Sequence, residues 1–303
     1  MFWILLSVTT LGVAGAVWVA TNRLRTGGIT PTKSCCPPGS IDSKNAKQAG
    51  ATSEPTGTEL LLPNTLTRCY VTTTTTVPIR GVVILFHDIF GVSSGRTRLV
   101  ADEIASWGYF VVLPDFFDDH AEALGDGHEL WDLKRWFRGG VGGTLLQRAM
   151  APFELVEQRM LQEILPYIDS QGYGNLPLGL AGFCWGGWAI TRLASWPKVR
   201  GVVGFHPSPD VQALQKCGPT TNEMYEQIQC PVLYLPGSND PGWIKPMGKA
   251  FASILVASPE SRCVDFPSMD HGWVNRGDVR IPAIKIQVDL AMQLAKDFFH
   301  HYV

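Results

Sequence analysis

The segment Gly179-Leu180-Ala181-Gly182-Phe183-Cys184-Trp185-Gly186-Gly187 sets a cysteine between two glycines, where an apolar run gives way to an amphipathic one. Glycine two places before and two places after the cysteine suits a sharp strand-to-helix turn, because a side chain at either place crowds the neighbouring backbone. The spacing predicts Cys184 at the mouth of a helix, whose N-terminal dipole favours a thiolate. A buried cysteine in an ordinary glycine-rich βα turn fits the same letters, so the pattern alone leaves the chemistry open.

The rest of the chain beyond residue 60 supplies the strands and helices that such a turn needs. Short apolar runs at Val82–Phe86, Tyr109–Leu113, Leu178–Phe183, Val202–Phe205, Val232–Leu235 and Arg262–Phe266 read as strands. Between them, Arg96–Trp107, Leu145–Ile168, Trp185–Ser195, Pro246–Ala257 and Ile281–Phe299 carry apolar residues every three or four positions and read as helices. Alternation of this kind predicts an α/β fold with a mostly parallel sheet and helices on both faces, and it places functional groups in the loops at the carboxyl ends of the strands.

The first sixty residues differ in kind. Phe2–Ala20 is uncharged and apolar over about one bilayer thickness and is followed by Arg23 and Arg25. Residues 1–25 are expected to form a transmembrane or signal-anchor helix, with the remainder on the cytoplasmic side because of the two arginines. Ala14-Gly15-Ala16 offers the alternative of a cleaved signal peptide and a secreted protein, although no basic residue precedes the apolar stretch. Residues 26–59 are rich in breakers and polar residues and read as a flexible tether, with Cys35-Cys36 as an exposed thiol pair within it. Residues 60–303 form the folded domain.

Composition narrows the function classes. The formal net charge of −2 arises from 25 basic and 27 acidic residues with no basic run, so nucleic acid is not an expected partner. The seven cysteines lack the paired CxxC spacing of structural zinc and read mostly as reduced thiols. Asp118, Asp119, His120 and His128 share no recognised ligand spacing, and no metal or cofactor is expected.

Two residues downstream fit the chemistry of an activated cysteine. Asp240 follows the run Val232–Leu235, and His271 follows the run ending at Phe266, so both fall at carboxyl ends of expected strands. Nucleophile, acid and histidine in that chain order match the triad of an α/β-hydrolase fold, with Cys in place of Ser. Each alone has a plainer reading: a turn aspartate for Asp240, a loop histidine for His271. Asp270, beside the histidine, is a rival carboxylate assigned here to loop support.

With these motifs go His87-Asp88-Ile89-Phe90-Gly91, Tyr109–Phe117 and His271–Gly277, and together they make the chain from about residue 65 onward resemble the dienelactone hydrolase family. The resemblance implies a Cys184-Asp240-His271 triad that opens small esters or lactones without metal or organic cofactor. It also implies an oxyanion hole from the N–H groups of Ile89 and Trp185. Founding members of that family carry glutamate, which holds the resting cysteine, where this chain has Asp88. The shorter side chain is expected to lose that contact or to bridge it by water. Arg276 matches one of the family's substrate-carboxylate arginines with a one-residue offset and is expected to face the pocket. Arg135 and Arg138 are further candidates for that task. A generalist carboxylesterase or thioesterase, and a non-catalytic membrane-tethered binding protein on the same fold, are the alternative readings.

Overall fold

The computed structural model describes residues 51–64, 66–117 and 147–303. The expected anchor and tether up to residue 50, and Arg135, Arg138, Asp118, Asp119, His120 and His128, lie outside these described residues. No helix among the described residues is long and apolar enough to cross a membrane.

Eight strands form one sheet: β1 (Thr58–Leu61), β2 (Arg68–Thr72), β3 (Gly81–Phe86), β4 (Tyr109–Pro114), β5 (Leu178–Phe183), β6 (Val199–Phe205), β7 (Val232–Leu235) and β8 (Arg262–Cys263), in the order β1-β2-β4-β3-β5-β6-β7-β8. All pairs from β4 to β8 are parallel, whereas β1 and β2 run antiparallel at one edge. Helices α1 (Thr97–Ser106), α2 (Phe153–Arg159), α3 (Leu165–Ser170), α4 (Trp185–Leu193), α5 (Thr221–Glu226), α6 (Lys249–Ala257), α7 (Trp273–Arg276) and α8 (Pro282–Tyr302) complete the fold.

Because successive strand residues point to opposite faces, each parallel strand feeds two cores. Val82, Ile84 and Phe86 of β3 join the side covered by α2 to α6, and Val83 and Leu85 join the side covered by α1, α7 and α8. Near-continuous apolar runs are therefore what this sheet needs, since both faces are covered. The chain leaves β3 for β4 on one side and returns to β5 on the other. The loops after β3 and β5 consequently face each other across the point where strand order reverses, the usual place for a ligand in such sheets.

The glycines of the turn after β5 are explained by contact. A Cβ built on Gly182 lies 2.6 Å from the Gly186 carbonyl carbon, and one on Gly186 lies 2.5 Å from the Phe86 carbonyl oxygen. Both neighbours are backbone and have little room to yield. Gly182→Ala is expected to cost about 1–3 kcal/mol through overpacking, seen as a lower melting temperature. An unchanged melt would mean that the turn is not held this tightly.

Four elements depart from the periodicity. The antiparallel strands β1 and β2 were not legible as strands, because β2 becomes one by pairing with β4 and β1 by pairing with β2. The expected long helix from Leu145 is interrupted at Pro152, which is extended and precedes α2, as proline cannot donate inside a helix. The expected strand Arg262–Phe266 shortens to two residues plus one isolated bridge between Gly237 and Phe266.

Candidate active site

Cys184 occupies the N-cap of α4 at φ 52°, ψ −111°, a conformation that L-residues rarely adopt. Its N–H donates to the Phe205 carbonyl at 3.3 Å, so β6 pins the turn from the side. Its side chain is half-buried.

His271 and Asp240 arrive from two further loops. Asp240, 7% exposed, accepts from the Gly237 N–H through Oδ2 at 2.6 Å and faces His271 Nδ1 through Oδ1 at 2.6 Å. The His271 N–H donates to Asn239 Oδ1 at 2.6 Å, which ties the two loops together at a second point. Asp270 turns away and accepts from Ser238 Oγ at 2.7 Å. Burial opposes a charge on His271, but the Asp240 carboxylate, hydrogen-bonded to the imidazole, and the nearby Cys184 sulfur outweigh it and hold its pKa well above the usual histidine range. The structure thus brings Cys184, His271 and Asp240 together and leaves Asp270 on the periphery.

The loop after β3 is organised by Asp88, 1% exposed. Its Oδ1 accepts from the Phe90 N–H at 2.9 Å, and its Oδ2 from Ser94 Oγ at 2.7 Å and Asn275 Nδ2 at 2.9 Å. The Gly91 N–H donates to the Asp88 carbonyl at 3.1 Å. Among the described residues no acceptor takes the N–H of Ile89 or of Trp185. The Ile89 carbonyl is held by Arg148 Nη1 at 2.7 Å. Asp88 supports this loop, and among the described residues its carboxylate is hydrogen-bonded to Phe90, Ser94 and Asn275 rather than to the Cys184 sulfur.

Arg276 is 3% exposed, with Nε 3.5 Å from Asp88 Oδ2 and its guanidinium 4.1 Å from the centre of the Phe90 ring. It was expected to face the pocket, and it packs on the loop after β3. His87, fully buried, donates from Nδ1 to the Asp88 carbonyl at 2.7 Å, because its Nε2 accepts from the Phe116 N–H at 3.1 Å. Burial holds it neutral despite nearby Asp115, and its ring stacks on Trp185 at 5.6 Å.

Sequence reasoning missed the turn His206-Pro207-Ser208 after β6. His206 is fully buried at φ 39° and meets the His271 ring edge-on, centroids 4.9 Å apart. Burial, then the neighbouring His271 and Arg276, keep its pKa well below the usual range. Ser208 Oγ donates to Cys184 Sγ at 3.6 Å. A signal was present, since the turn follows an apolar run at the carboxyl edge of the sheet.

A profile of the Dienelactone hydrolase family matches residues 67–303. The chain belongs to the dienelactone hydrolase family. As a member it is a hydrolase acting on carboxylic ester bonds. It is 27% identical over 233 residues to a carboxymethylenebutenolidase homologue of Rattus norvegicus, covering 73% of this chain and 82% of the relative. An uncharacterized AIM2-family protein of Schizosaccharomyces pombe is 25% identical over 238 residues, covering 72% and 81%. A crystal structure of a dienelactone hydrolase homologue from Klebsiella pneumoniae shares the fold at TM-score 0.57 and 19% identity, covering 82% of this chain and 99% of that one.

Proposed function

We propose that this chain hydrolyses small esters or lactones with Cys184 as nucleophile, His271 as proton carrier and Asp240 as the group that orients the imidazole. The observation that carries the reading is the approach of His271 to both Asp240, at 2.6 Å, and the sulfur of a cysteine held at positive φ on a helix N-terminus. Relatives named as carboxymethylenebutenolidase homologues support a lactone.

In this mechanism the sulfur attacks the carbonyl carbon while Nε2 of His271 holds the thiol proton. The oxyanion forms against the N–H groups of Ile89 and Trp185, each donor contributing about 3 kcal/mol to the transition state. His271 returns the proton to the departing oxygen, leaving a thioester on Cys184. Water then attacks the thioester, His271 takes its proton, the C–S bond breaks and the acid is released. Nδ1 keeps its bond to Asp240 throughout, which keeps Nε2 directed at the reacting atoms.

The test is turnover of a panel of enol lactones and aryl esters by the purified protein, before and after iodoacetamide. Hydrolysis lost on alkylation of Cys184 and indifferent to chelator is the expected result. Activity that survives full alkylation of Cys184 overturns the reading.

One observation favours a generalist esterase within this reading: Arg276 is packed on Asp88 and Phe90. Arg276→Leu is therefore expected to lower kcat/KM for a carboxylated lactone and for its methyl ester together, because the loop carrying Ile89 loosens. A selective loss on the carboxylated substrate of about ten-fold or more, the size of a lost charge-assisted hydrogen bond, would instead put Arg276 on the substrate.

We also infer that the apolar stretch Phe2–Ala20 tethers the enzyme to a membrane, with the hydrolase domain on the cytoplasmic side. The full chain should then stay with the membrane pellet in carbonate, and a chain lacking residues 1–25 should be released in active form. Extraction of the full chain with peripheral proteins counts against it.

A further inference from the structure

The nucleophile has a side-chain partner besides the imidazole. Ser208 Oγ donates to Cys184 Sγ at 3.6 Å, and the same residue's N–H donates to the Cys184 carbonyl at 2.9 Å. The hydroxyl therefore comes from a residue already clamped to the nucleophile's own backbone.

The turn that carries it has little freedom. The His206 N–H donates to the Leu235 carbonyl at 2.9 Å, which ties the turn to β7, and His206 itself sits at φ 39°. Pro207 fills the space over Gly187, where an added Cβ would lie 2.5 Å from the Pro207 Cβ. A donor held this way needs little reorganisation when charge develops on its acceptor.

No carboxylate competes for the sulfur from the loop opposite. Both Asp88 oxygens are engaged by Phe90, Ser94 and Asn275, with Arg276 alongside. Among the described residues, the ionisable groups on the elements around Cys184 include His271 with Asp240 behind it, buried His206 from the β6 turn, the Asp88–Arg276 pair beneath the β3 loop, His87 stacked on Trp185, and Arg148 on the Ile89 carbonyl.

We propose that Ser208 is a further catalytic residue, whose hydroxyl steadies the negative charge that Cys184 sulfur carries before attack and again as it leaves the acyl-enzyme. The proposal rests on Cys184 being the nucleophile. In acylation the S–C bond forms and the sulfur gives up its charge, so the hydroxyl favours the thiolate being present rather than the attack itself. In deacylation the tetrahedral carbon formed by water collapses, the C–S electron pair passes to sulfur, and the Ser208 O–H meets that charge. The thiolate is thereby made the better leaving group.

The test needs no substrate. In the full chain, the rate of iodoacetamide alkylation is followed at the Cys184 peptide by mass spectrometry as a function of pH, in wild type, Ser208→Ala and Ser208→Thr. Loss of a hydrogen bond to a charged acceptor is expected to lower the rate about ten-fold on the acidic limb. The alkaline plateau should be kept, where every sulfur is ionised. Ser208→Thr keeps the hydroxyl and should restore the acidic limb. The proposal is overturned by a Ser208→Ala profile that superimposes on wild type. A rate depressed equally at all pH values, or a loss that Thr does not rescue, also overturns it, since either marks a packing role. If the profile shifts as expected in a chain that hydrolyses none of the esters, the Ser208 contact stands and the ester reading fails. If hydrolysis is present and the profile does not move, the reverse holds.

Discussion

Cys184→Ala is expected to reduce ester hydrolysis by at least about four orders of magnitude while leaving the cooperative unfolding transition in place. The loss is large because the thiolate supplies the bond that splits one difficult step into two, and nothing in the neighbourhood replaces it. Stability should hardly change, since alanine and cysteine meet the same penalty at φ 52°. Glycine does not, so Cys184→Gly should be equally inactive yet more stable than Cys184→Ala by about 1 kcal/mol. Cys184→Ser should retain a weak esterase, because its hydroxyl needs a stronger base than a thiol does. The measurements are steady-state hydrolysis and thermal unfolding of the three variants. Near-full turnover in Cys184→Ala would remove the nucleophile from the mechanism.

Asp240→Asn and His271→Ala should each lower turnover by about three to four orders of magnitude. In the first, Nδ1 no longer has a carboxylate at 2.6 Å to hold its proton and fix the ring. In the second, no group accepts the thiol or water proton. Asp270→Asn should change kcat by less than a few-fold, since Asp270 contacts Ser238 rather than the imidazole. The pH dependence of stability has a definite sign. His271 is harder to deprotonate in the folded chain than in the unfolded one, so its protonated form adds stability that is complete below the ordinary value of 6.5 and is lost as pH rises through the raised folded value. The stability gap between wild type and Asp240→Asn should therefore be widest at acidic pH above the carboxylate range and close as the pH rises. Denaturant midpoints across that range measure it. A gap that widens with pH, or an Asp270 that proves essential while Asp240 does not, would reassign the acid.

Much of the fold was legible because its determinants are local. Strands covered on both faces must be apolar throughout, which is why β3, β4, β5 and β7 stand out as runs of Val, Leu, Ile and Phe. The antiparallel strands β1 and β2 were not legible: Thr58–Leu61 is largely exposed and is a strand by pairing with β2, and Arg68–Thr72, buried apart from Arg68, is one by lying between β1 and β4. The triad candidates were legible because chain order and strand ends are sequence properties. Asp270 was set aside because it shares a turn with the histidine, but what each carboxylate faces, Nδ1 of His271 for Asp240 and Ser238 Oγ for Asp270, depends on side-chain direction, which local patterns do not carry.

The sequence by itself determined that a cysteine stands in a turn too tight for any neighbour but glycine, and that an aspartate and a histidine follow it at strand ends. Those are consequences of steric size and apolar periodicity, which act within a few residues. Tertiary structure alone decided that Asp88 and Arg276 pair with each other under the Ile89 loop, that His206 lies against His271, and that the Ser208 hydroxyl reaches the sulfur. Each of these contacts joins segments brought together by sheet order. Arg276 is 188 residues from Asp88 (276 − 88), and its partner is set by which loops the parallel strands deliver to one edge, a property that no local pattern encodes.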